Sequence, residues 1–160
     1  MEIPVYLFTG FLEGGKTTFI REILSDENFT QDEKTLLLLC EEGIEEFDEV
    51  FLRRCNTVAV TIEDQNALTR TYCQLLTRKH RPDRVVIEYN GMWPTDTLDV
   101  AFPREWQLYQ VVNSINAETF AASVQRLNTT KSAKAICPSI FAPMLFTYIS
   151  KVSALMELTT

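Results

Sequence analysis

Gly10-Phe11-Leu12-Glu13-Gly14-Gly15-Lys16-Thr17 is the stretch of this chain that decides its fold. It fits the pattern GxxxxGK[ST], in which a glycine-rich loop leads from a strand into a helix. A triphosphate is bound in such a loop by a ring of backbone N–H donors, which side chains at the closest positions would block. Gly10, Gly14 and Gly15 remove that obstacle and permit positive φ angles. The stretch therefore predicts a site for a nucleoside triphosphate.

The side chains at the end of this loop supply the polar groups that phosphates and a magnesium ion require. Lys16 brings a positive charge to the β- and γ-phosphates, the Thr17 hydroxyl is placed to coordinate Mg²⁺, and Thr18 can donate to the α-phosphate. The N-terminus of the following helix adds a favourable dipole. A glycine turn with an incidental lysine is the competing interpretation. The apolar strand before the loop and the amphipathic helix after it favour the phosphate site.

The first 126 residues alternate between short apolar runs and helical patterns. The runs that predict strands are residues 5–9, 35–40, 58–62, 84–88 and 109–114. The patterns that predict helices are residues 16–24, the segment capped by Asp64 with Leu68, Tyr72, Leu75 and Leu76 at helical intervals, and residues 118–126. Short buried strands separated by helices are typical of an α/β domain with a mostly parallel sheet. With the phosphate loop, the pattern predicts a P-loop NTPase fold.

The composition changes after this alternating region. We expect residues 1–126 to form a P-loop nucleotide-binding domain and residues 127–160 to be an atypical or truncated C-terminal segment of the same domain. The last segment is rich in Ser, Thr and Ala and has a single acidic residue, Glu157, of the 22 in the chain. It fits either a second structural region or an abnormal terminus that results from truncation or a reading-frame change, and both interpretations stay open.

A second group of candidate ligands follows the strand at residues 84–88. Mg²⁺ bound to a triphosphate commonly takes a further carboxylate from a strand end, often through water. Glu88 ends this apolar strand, and Gly91 would let the following loop approach the γ-phosphate. We therefore expect Thr17 and Glu88 to hold the metal and Gly91 to lie against the nucleotide. A solvated acid at a strand end is the competing interpretation of Glu88.

An acidic segment, residues 41–48, follows the strand that contains four consecutive leucines. Acidic runs are usually solvated loops, and we expect that of most residues here. Glu41 and Asp48 are the exceptions, because the carboxyl end of this strand should face the phosphates. They are candidates, with Lys16, for the catalytic groups of a phosphate-cleaving site.

Charge and cysteine content restrict the partners and the compartment. Fifteen basic side chains against 22 acidic ones give a net charge of −7, which argues against nucleic acid and anionic membranes as partners. The four cysteines, Cys40, Cys55, Cys73 and Cys137, form no CxxC pair. We expect four reduced thiols in a cytoplasmic protein, without a leader peptide or the ~18-residue apolar run of a membrane helix.

These motifs together resemble those of the CobW-like P-loop GTPases, relatives of the urease and hydrogenase nickel-insertion GTPases. The stretches that carry the likeness are residues 4–12 running into Gly15-Lys16-Thr17-Thr18, the trio Glu41, Gly43 and Asp48 of an N-E-x-G-x-x-x-x-D segment, Glu88-Tyr89-Asn90-Gly91 of an E-x-x-G motif, and a weaker echo at residues 111–117. The resemblance implies GTP and Mg²⁺ as ligands, slow GTP hydrolysis, a role related to metallocofactors, a metalloprotein client and a homodimer.

The chain departs from that family's pattern at three places. Cys40 replaces the Asn of the N-E-x-G segment, and a lone Cys55 lies where metal-carrying members have Cys-x-Cys-Cys. The guanine-specific N-K-x-D motif is missing, and its nearest trace ends in Ser153. An Asp carboxylate that accepts from guanine is what rejects adenine, and a serine does not replace it. The preference for GTP over ATP and the identity of any delivered metal therefore stay open.

Two functions other than a GTPase use the same loop. The first is a nucleotide-dependent switch or scaffold that binds a client and barely hydrolyses. The second is a P-loop kinase for a small molecule, which would need an arginine-bearing lid. Arg53 and Arg54 are the basic pair nearest to the phosphate loop, and nothing else in the sequence supports a kinase.

Overall fold

The computed structural model describes residues 2–10, 15–30, 32–41 and 47–114. Strands within these residues are β1 (Ile3–Gly10), β2 (Thr35–Leu39), β3 (Thr57–Thr61), β4 (Arg84–Glu88) and β5 (Trp106–Ser114). Helices are α1 (Lys16–Ser25), α2 (Glu27–Thr30), α3 (Glu49–Arg54), α4 (Arg70–His80) and α5 (Asp96–Ala101), with a 3₁₀ turn at Gln65–Ala67. The expectations for Gly14, Gly43, Cys137, the helix at 118–126 and the segment 127–160 lie outside the described residues.

The strands form one parallel sheet in the order β3-β2-β4-β1-β5. The predicted α/β fold of a P-loop NTPase is confirmed. Strand β2 follows β1 along the chain, but β4 lies between them in the sheet, so the connection through α1 crosses a topological switch point. Ligands of open α/β sheets bind at such a point, beyond the carboxyl ends of the strands.

The register of the sheet aligns the ends of three strands at that point. Glu88, the last residue of β4, pairs with Phe8 of β1 on one side and with Leu39 of β2 on the other. Gly10 and Glu41 each lie two residues beyond these partners. The sheet therefore brings together three segments that are far apart in sequence.

Each face of the sheet carries a separate hydrophobic core because successive strand residues point to opposite faces. One core contains alternate residues of β1, β2 and β4 together with Cys73 and Leu76 of α4 and Leu98 of α5. The other contains the intervening strand residues together with Ile20 and Leu24 of α1. Helix α1 is thus packed against this face of the sheet, which fixes the direction of its N-terminus.

Helix α4 begins later than the sequence pattern predicts. The carboxylate of Asp64 caps the 3₁₀ turn by accepting from the Asn66 amide at 2.9 Å. The cap of α4 is Thr69, whose hydroxyl accepts from the Tyr72 amide at 3.3 Å. Leu68 is buried before the helix starts, so the apolar spacing that suggested one longer helix combines two elements. In the part of the chain that the structure describes, no helix has the length and apolar character needed to cross a membrane.

Candidate nucleotide site

The phosphate loop leaves β1 at Gly10 in a conformation that requires glycine. Gly10 has a φ of 133°, and a Cβ atom at this position would overlap the carbonyl oxygen of Ser114 at the end of β5. Gly15, directly before α1, has a φ of 78° in the left-handed region. Both glycines therefore have the positive φ angles that the sequence predicted, and Gly10 has a second reason to lack a side chain.

Helix α1 begins immediately after Gly15, so its first backbone amides lie at the end of the phosphate-loop motif. The Phe19 amide donates to the Gly15 carbonyl at 3.0 Å and closes the first turn of the helix. No acidic residue lies in this first turn, which keeps the positive end of the helix dipole available to an anion. Thr18 lies in the same turn with its side chain exposed, a position compatible with its predicted contact to the α-phosphate.

The Lys16 side chain is buried and lies between two of the converging strand ends. Its ammonium group donates to the carbonyl oxygen of Gly10 at 3.0 Å and forms an ion pair with Oε2 of Glu41 at 2.7 Å. The side chains of Lys16 and Glu41 are 2% and 10% exposed. A buried ammonium group needs such partners because its desolvation is costly. The structure therefore brings together two of the residues that the sequence proposed for catalysis.

Thr17 and Glu88 form a second pair beside this one. The Thr17 hydroxyl donates to Oε1 of Glu88 at 2.6 Å. Glu88 is 4% exposed, and burial raises the pKa of its carboxyl group above the ordinary value. The hydrogen bond from Thr17 and the charge of Lys16 act in the opposite direction, whereas Glu41 adds to the rise of the pKa. The carboxyl group of Glu88 thus retains its proton to a higher pH than an exposed glutamate does.

The atoms of this second pair suit a magnesium ion. Mg²⁺ binds oxygen ligands and usually keeps several waters, with one or two ligands from the protein and others from the phosphates. A hydroxyl and a carboxylate 2.6 Å apart beside the start of α1 provide such a set. When the Thr17 hydroxyl donates a hydrogen bond to Glu88, the lone pairs of its oxygen point away from the carboxylate and can bind a cation. The donor set present therefore fits the predicted metal.

The loop after Glu88 is fixed from its buried side by Tyr89. The Tyr89 ring is fully buried, and its hydroxyl donates to the Pro94 carbonyl at 2.6 Å and lies 2.9 Å from the Thr97 hydroxyl. Asn90 closes the turn that contains Gly91 by accepting from the amides of two later residues, Met92 at 2.9 Å and Trp93 at 3.0 Å. Gly91 therefore lies in a defined turn directly after the candidate metal ligand.

Asp48 has a different position from the other candidate residues. Its side chain is exposed and accepts from the Phe51 amide at 2.8 Å, which caps the N-terminus of α3. Residues 42–46, between Glu41 and Asp48, lie outside the described part of the chain. A role for Asp48 beside the nucleotide thus stays a prediction, and the contact that the structure gives it is a helix cap.

Cys40 lies at the end of β2, where the resembled family has asparagine. Burial raises the pKa of its thiol to about 12, and the neighbouring Cys73 and Glu88 contribute to the rise. Burial likewise raises the pKa of Cys73 to about 12. Both thiols are therefore neutral at physiological pH, whereas a transition metal requires the thiolate. Within residues 2–10, 15–30, 32–41 and 47–114, no group of three or more His, Cys, Asp or Glu side chains is arranged to hold a metal.

Two residues that support the site were not identified from the sequence. Tyr89 could have been suspected, because a tyrosine directly after a fully buried strand needs a partner for its hydroxyl group. Ser114 acts through its backbone carbonyl, which meets Gly10 across the β1–β5 pair. A backbone contact between distant strands leaves no signal in the residue types, so Ser114 could not have been found this way.

Comparison with known proteins agrees with this geometry. The CobW/HypB/UreG nucleotide-binding domain family matches residues 4–145. A protein of Sinorhizobium sp. named zinc chaperone CobW is 32% identical over 114 residues, a match that covers 63% of this chain and 31% of that relative. The chain thus spans about a third of the length of the curated relative it matches. No solved structure matches the chain significantly. Because the family match covers most of the sequence, this protein belongs to the CobW/HypB/UreG family of nucleotide-binding domains.

Proposed function

We propose that this chain binds GTP together with Mg²⁺ and hydrolyses GTP slowly, as a metallocofactor-related GTPase. The observation that carries the proposal is the contact between Thr17 and Glu88, at 2.6 Å, beside the buried ammonium group of Lys16. A strand-end carboxylate, a hydroxyl at the start of a helix and a lysine at the phosphate loop are the parts that Mg²⁺-dependent P-loop NTPases use. Family membership supports nucleotide binding independently.

Each side chain of the site has a separate role in this proposal. Lys16 and the first amides of α1 bind the phosphates and stabilise the charge that develops on the γ-phosphate as water attacks in line. Thr17 and Glu88 would hold Mg²⁺, which neutralises phosphate charge when it is bound. Gly91 would let the loop after β4 approach the γ-phosphate. Glu41 and Asp48 remain the candidates for positioning the attacking water. Both carboxylates make other contacts in this structure, so turnover without a partner is slow.

The link to metallocofactors rests on the family and on the name of the relative, a zinc chaperone. We propose a metalloprotein client for this reason. Cys40 and Cys73 are buried, and among the described residues neither belongs to a group of three or more side chains that could hold a metal, so the proposal assigns them no part in carrying the cargo. The buried free thiols of Cys40, Cys55 and Cys73 favour a cytoplasmic location, because oxidising compartments promote disulfides.

A titration of the full chain with fluorescent GTP and ATP analogues, in Mg²⁺ and in EDTA, tests the binding step. We expect GTP to bind more tightly in Mg²⁺ than in EDTA and more tightly than ATP. Phosphate release from GTP, followed with a matched Lys16→Ala variant as the blank, tests hydrolysis. If neither GTP nor ATP bound, the proposal would be refuted. Equal affinity for the two nucleotides would refute GTP as the specific ligand.

A non-hydrolysing switch is the second candidate, and one observation favours it. The two carboxylates proposed to position water are both engaged elsewhere, Glu41 with Lys16 at 2.7 Å and Asp48 with the N-terminus of α3. A switch would bind its client with different affinities in the GTP-bound and GDP-bound forms. It would release no more phosphate than the Lys16→Ala variant. The phosphate-release assay therefore distinguishes the two functions.

A further inference from the structure

The ion pair between Lys16 and Glu41 places a carboxylate on the ammonium group that the phosphate loop offers to a nucleotide. The two charged atoms are 2.7 Å apart, and both side chains are largely removed from solvent. The Gly10 carbonyl oxygen also accepts from this ammonium group, at 3.0 Å. The lysine of the loop is thus neutralised by the protein itself.

Geometry limits how a phosphate could share this lysine with Glu41. Two oxygens that accept hydrogen bonds of about 2.8 Å from one tetrahedral nitrogen lie about 4.6 Å apart. A β- or γ-phosphate oxygen bound to Lys16 would therefore lie next to the Glu41 carboxylate, with like charge and little intervening water. Repulsion between charges at this distance is strong where the surroundings are poorly polarisable. The carboxylate and the phosphate therefore compete for the charge of one ammonium group.

Glu88 belongs to the same site and is influenced by the charge of Lys16, but its hydrogen bond is to a different side chain. Its carboxylate accepts a hydrogen bond from the neutral hydroxyl of Thr17. A cation bound between that carboxylate and the phosphates would bridge the two kinds of anion. Glu41 instead contacts the very ammonium group that the phosphates would use. The two acids therefore have opposite effects on a bound nucleotide.

We infer that Glu41 is an internal competitor for Lys16, which weakens the binding of nucleoside di- and triphosphates. This inference rests on the proposed nucleotide site. Its consequence is that the affinity of the site is set below what the phosphate loop alone would give, so that bound nucleotide leaves faster. The effect should be confined to nucleotides with a β-phosphate, because Lys16 is directed at the β- and γ-phosphates.

The test compares the full wild-type chain with Glu41→Gln and with Glu63→Gln as a matched control. The control removes the same charge from an exposed acid that follows β3 at the same edge of the sheet. Affinities for fluorescent GMP, GDP and GTP analogues are measured in Mg²⁺ and in EDTA. We expect Glu41→Gln to bind GDP and GTP about tenfold more tightly, equivalent to ~1.4 kcal/mol, and GMP with unchanged affinity.

Several outcomes would overturn the inference. Unchanged or weaker binding of GDP and GTP by Glu41→Gln would show that Glu41 does not compete, and weaker binding in Mg²⁺ alone would make Glu41 a metal ligand instead. If Glu63→Gln raised the affinity for GDP and GTP by the same factor, the effect would come from the change in net charge and not from competition at Lys16. If neither the wild type nor Glu41→Gln binds any nucleotide, the proposed function fails together with the inference.

A second variant covers the case in which Glu41→Gln does not fold, since the substitution removes the partner of a buried ammonium group. Glu41→Asp keeps the charge but withdraws the carboxylate by one methylene from Lys16. It should tighten GDP and GTP binding by a smaller factor than Glu41→Gln. Circular dichroism establishes that each variant is folded, and unchanged affinity in a folded Glu41→Asp and Glu41→Gln pair would contradict the competition.

Discussion

Lys16 and Arg84 are buried cations at opposite ends of the same sheet. Comparing them distinguishes a cation placed to bind a ligand from one that stabilises the fold. Arg84 begins β4, donates to the carbonyl oxygens of Phe29 and Thr30, and pairs with Glu33. Its guanidinium group also lies 4.4 Å from the centroid of the Phe29 ring. Lys16 donates to the Gly10 carbonyl oxygen and pairs with the Glu41 carboxylate, at the edge where ligands of parallel sheets bind.

The chemistry of the two side chains matches these tasks. A guanidinium group is planar, always charged and able to donate in several fixed directions, which suits a permanent clamp between the C-terminus of α2 and the sheet. An ammonium group is a compact charge on a flexible stem and exchanges partners more readily. A buried cation is therefore not in itself a sign of a binding site. The partners, and the end of the sheet at which they lie, make the distinction.

The largest expected effect sharpens this comparison at Lys16. Lys16→Ala removes the charge that the phosphates require and should lower the affinity for GTP by about 100-fold or more, the loss of a charge-assisted hydrogen bond of ~3 kcal/mol. The fold should survive, because the Glu41 carboxylate is 10% exposed and can turn toward solvent. Lys79→Ala, at an exposed lysine of α4, serves as the control. Tight GTP binding by a folded Lys16→Ala variant would remove the phosphate-site assignment.

Arg84→Ala should have the complementary effect. Loss of the guanidinium group leaves two carbonyl oxygens of the α2 terminus without their donor and removes the packing on Phe29, so the free energy of unfolding should fall by about 3 kcal/mol. Urea denaturation measures this loss, and Arg78→Ala, an exposed arginine of α4, provides the baseline. The affinity of the folded fraction for GTP should stay unchanged. A large loss of affinity at full folding would break the distinction between the two cations.

Thr17→Val tests the pair beside Lys16. Valine has nearly the shape of threonine but lacks the hydroxyl that donates to Glu88 at 2.6 Å. The part of the GTP affinity that depends on Mg²⁺ should fall by about tenfold, the effect of losing one ligand contact worth ~1.4 kcal/mol. Titrations in Mg²⁺ and in EDTA measure the difference. Thr61→Val, at the exposed end of β3, should retain the full magnesium dependence.

The smallest effect is expected at Glu33, the carboxylate partner of Arg84. Its side chain is 51% exposed, whereas that of Glu41 is 10% exposed. An ion pair that is open to solvent contributes little, so Glu33→Gln should lower the free energy of unfolding by at most ~1 kcal/mol. Urea denaturation at two salt concentrations measures this change. A loss as large as that of Arg84→Ala would mean that the carboxylate, and not the two carbonyl groups, holds the arginine.

The sequence predicted the elements of the site whose signals are local. Lys16 and Thr17 could be proposed because the phosphate loop is one continuous motif, and the predicted bounds of the strand ending at Glu88 agree with the structure. Helices α3 and α5 were not predicted, because six residues are too few to show helical periodicity.

The contacts between these elements could not be predicted in the same way. The ion pair of Lys16 with Glu41 and the place of Ser114 beside Gly10 depend on the order and register of the strands. No residue type specifies that order. The contact of Asp48, by contrast, is local. An aspartate directly before a short helix is a favourable N-cap, and Asp48 caps α3 by accepting from the Phe51 amide.

The separation in sequence between Thr17 and Glu88, 71 residues, has a consequence for how the chain folds. Contacts of such long range close large loops and are expected to form late and cooperatively with the pairing of β1, β2 and β4. The candidate nucleotide site would then form only when the sheet is complete. A ligand that binds only the folded state slows unfolding and leaves the folding rate unchanged, so the unfolding rate with and without nucleotide would report on the intact sheet.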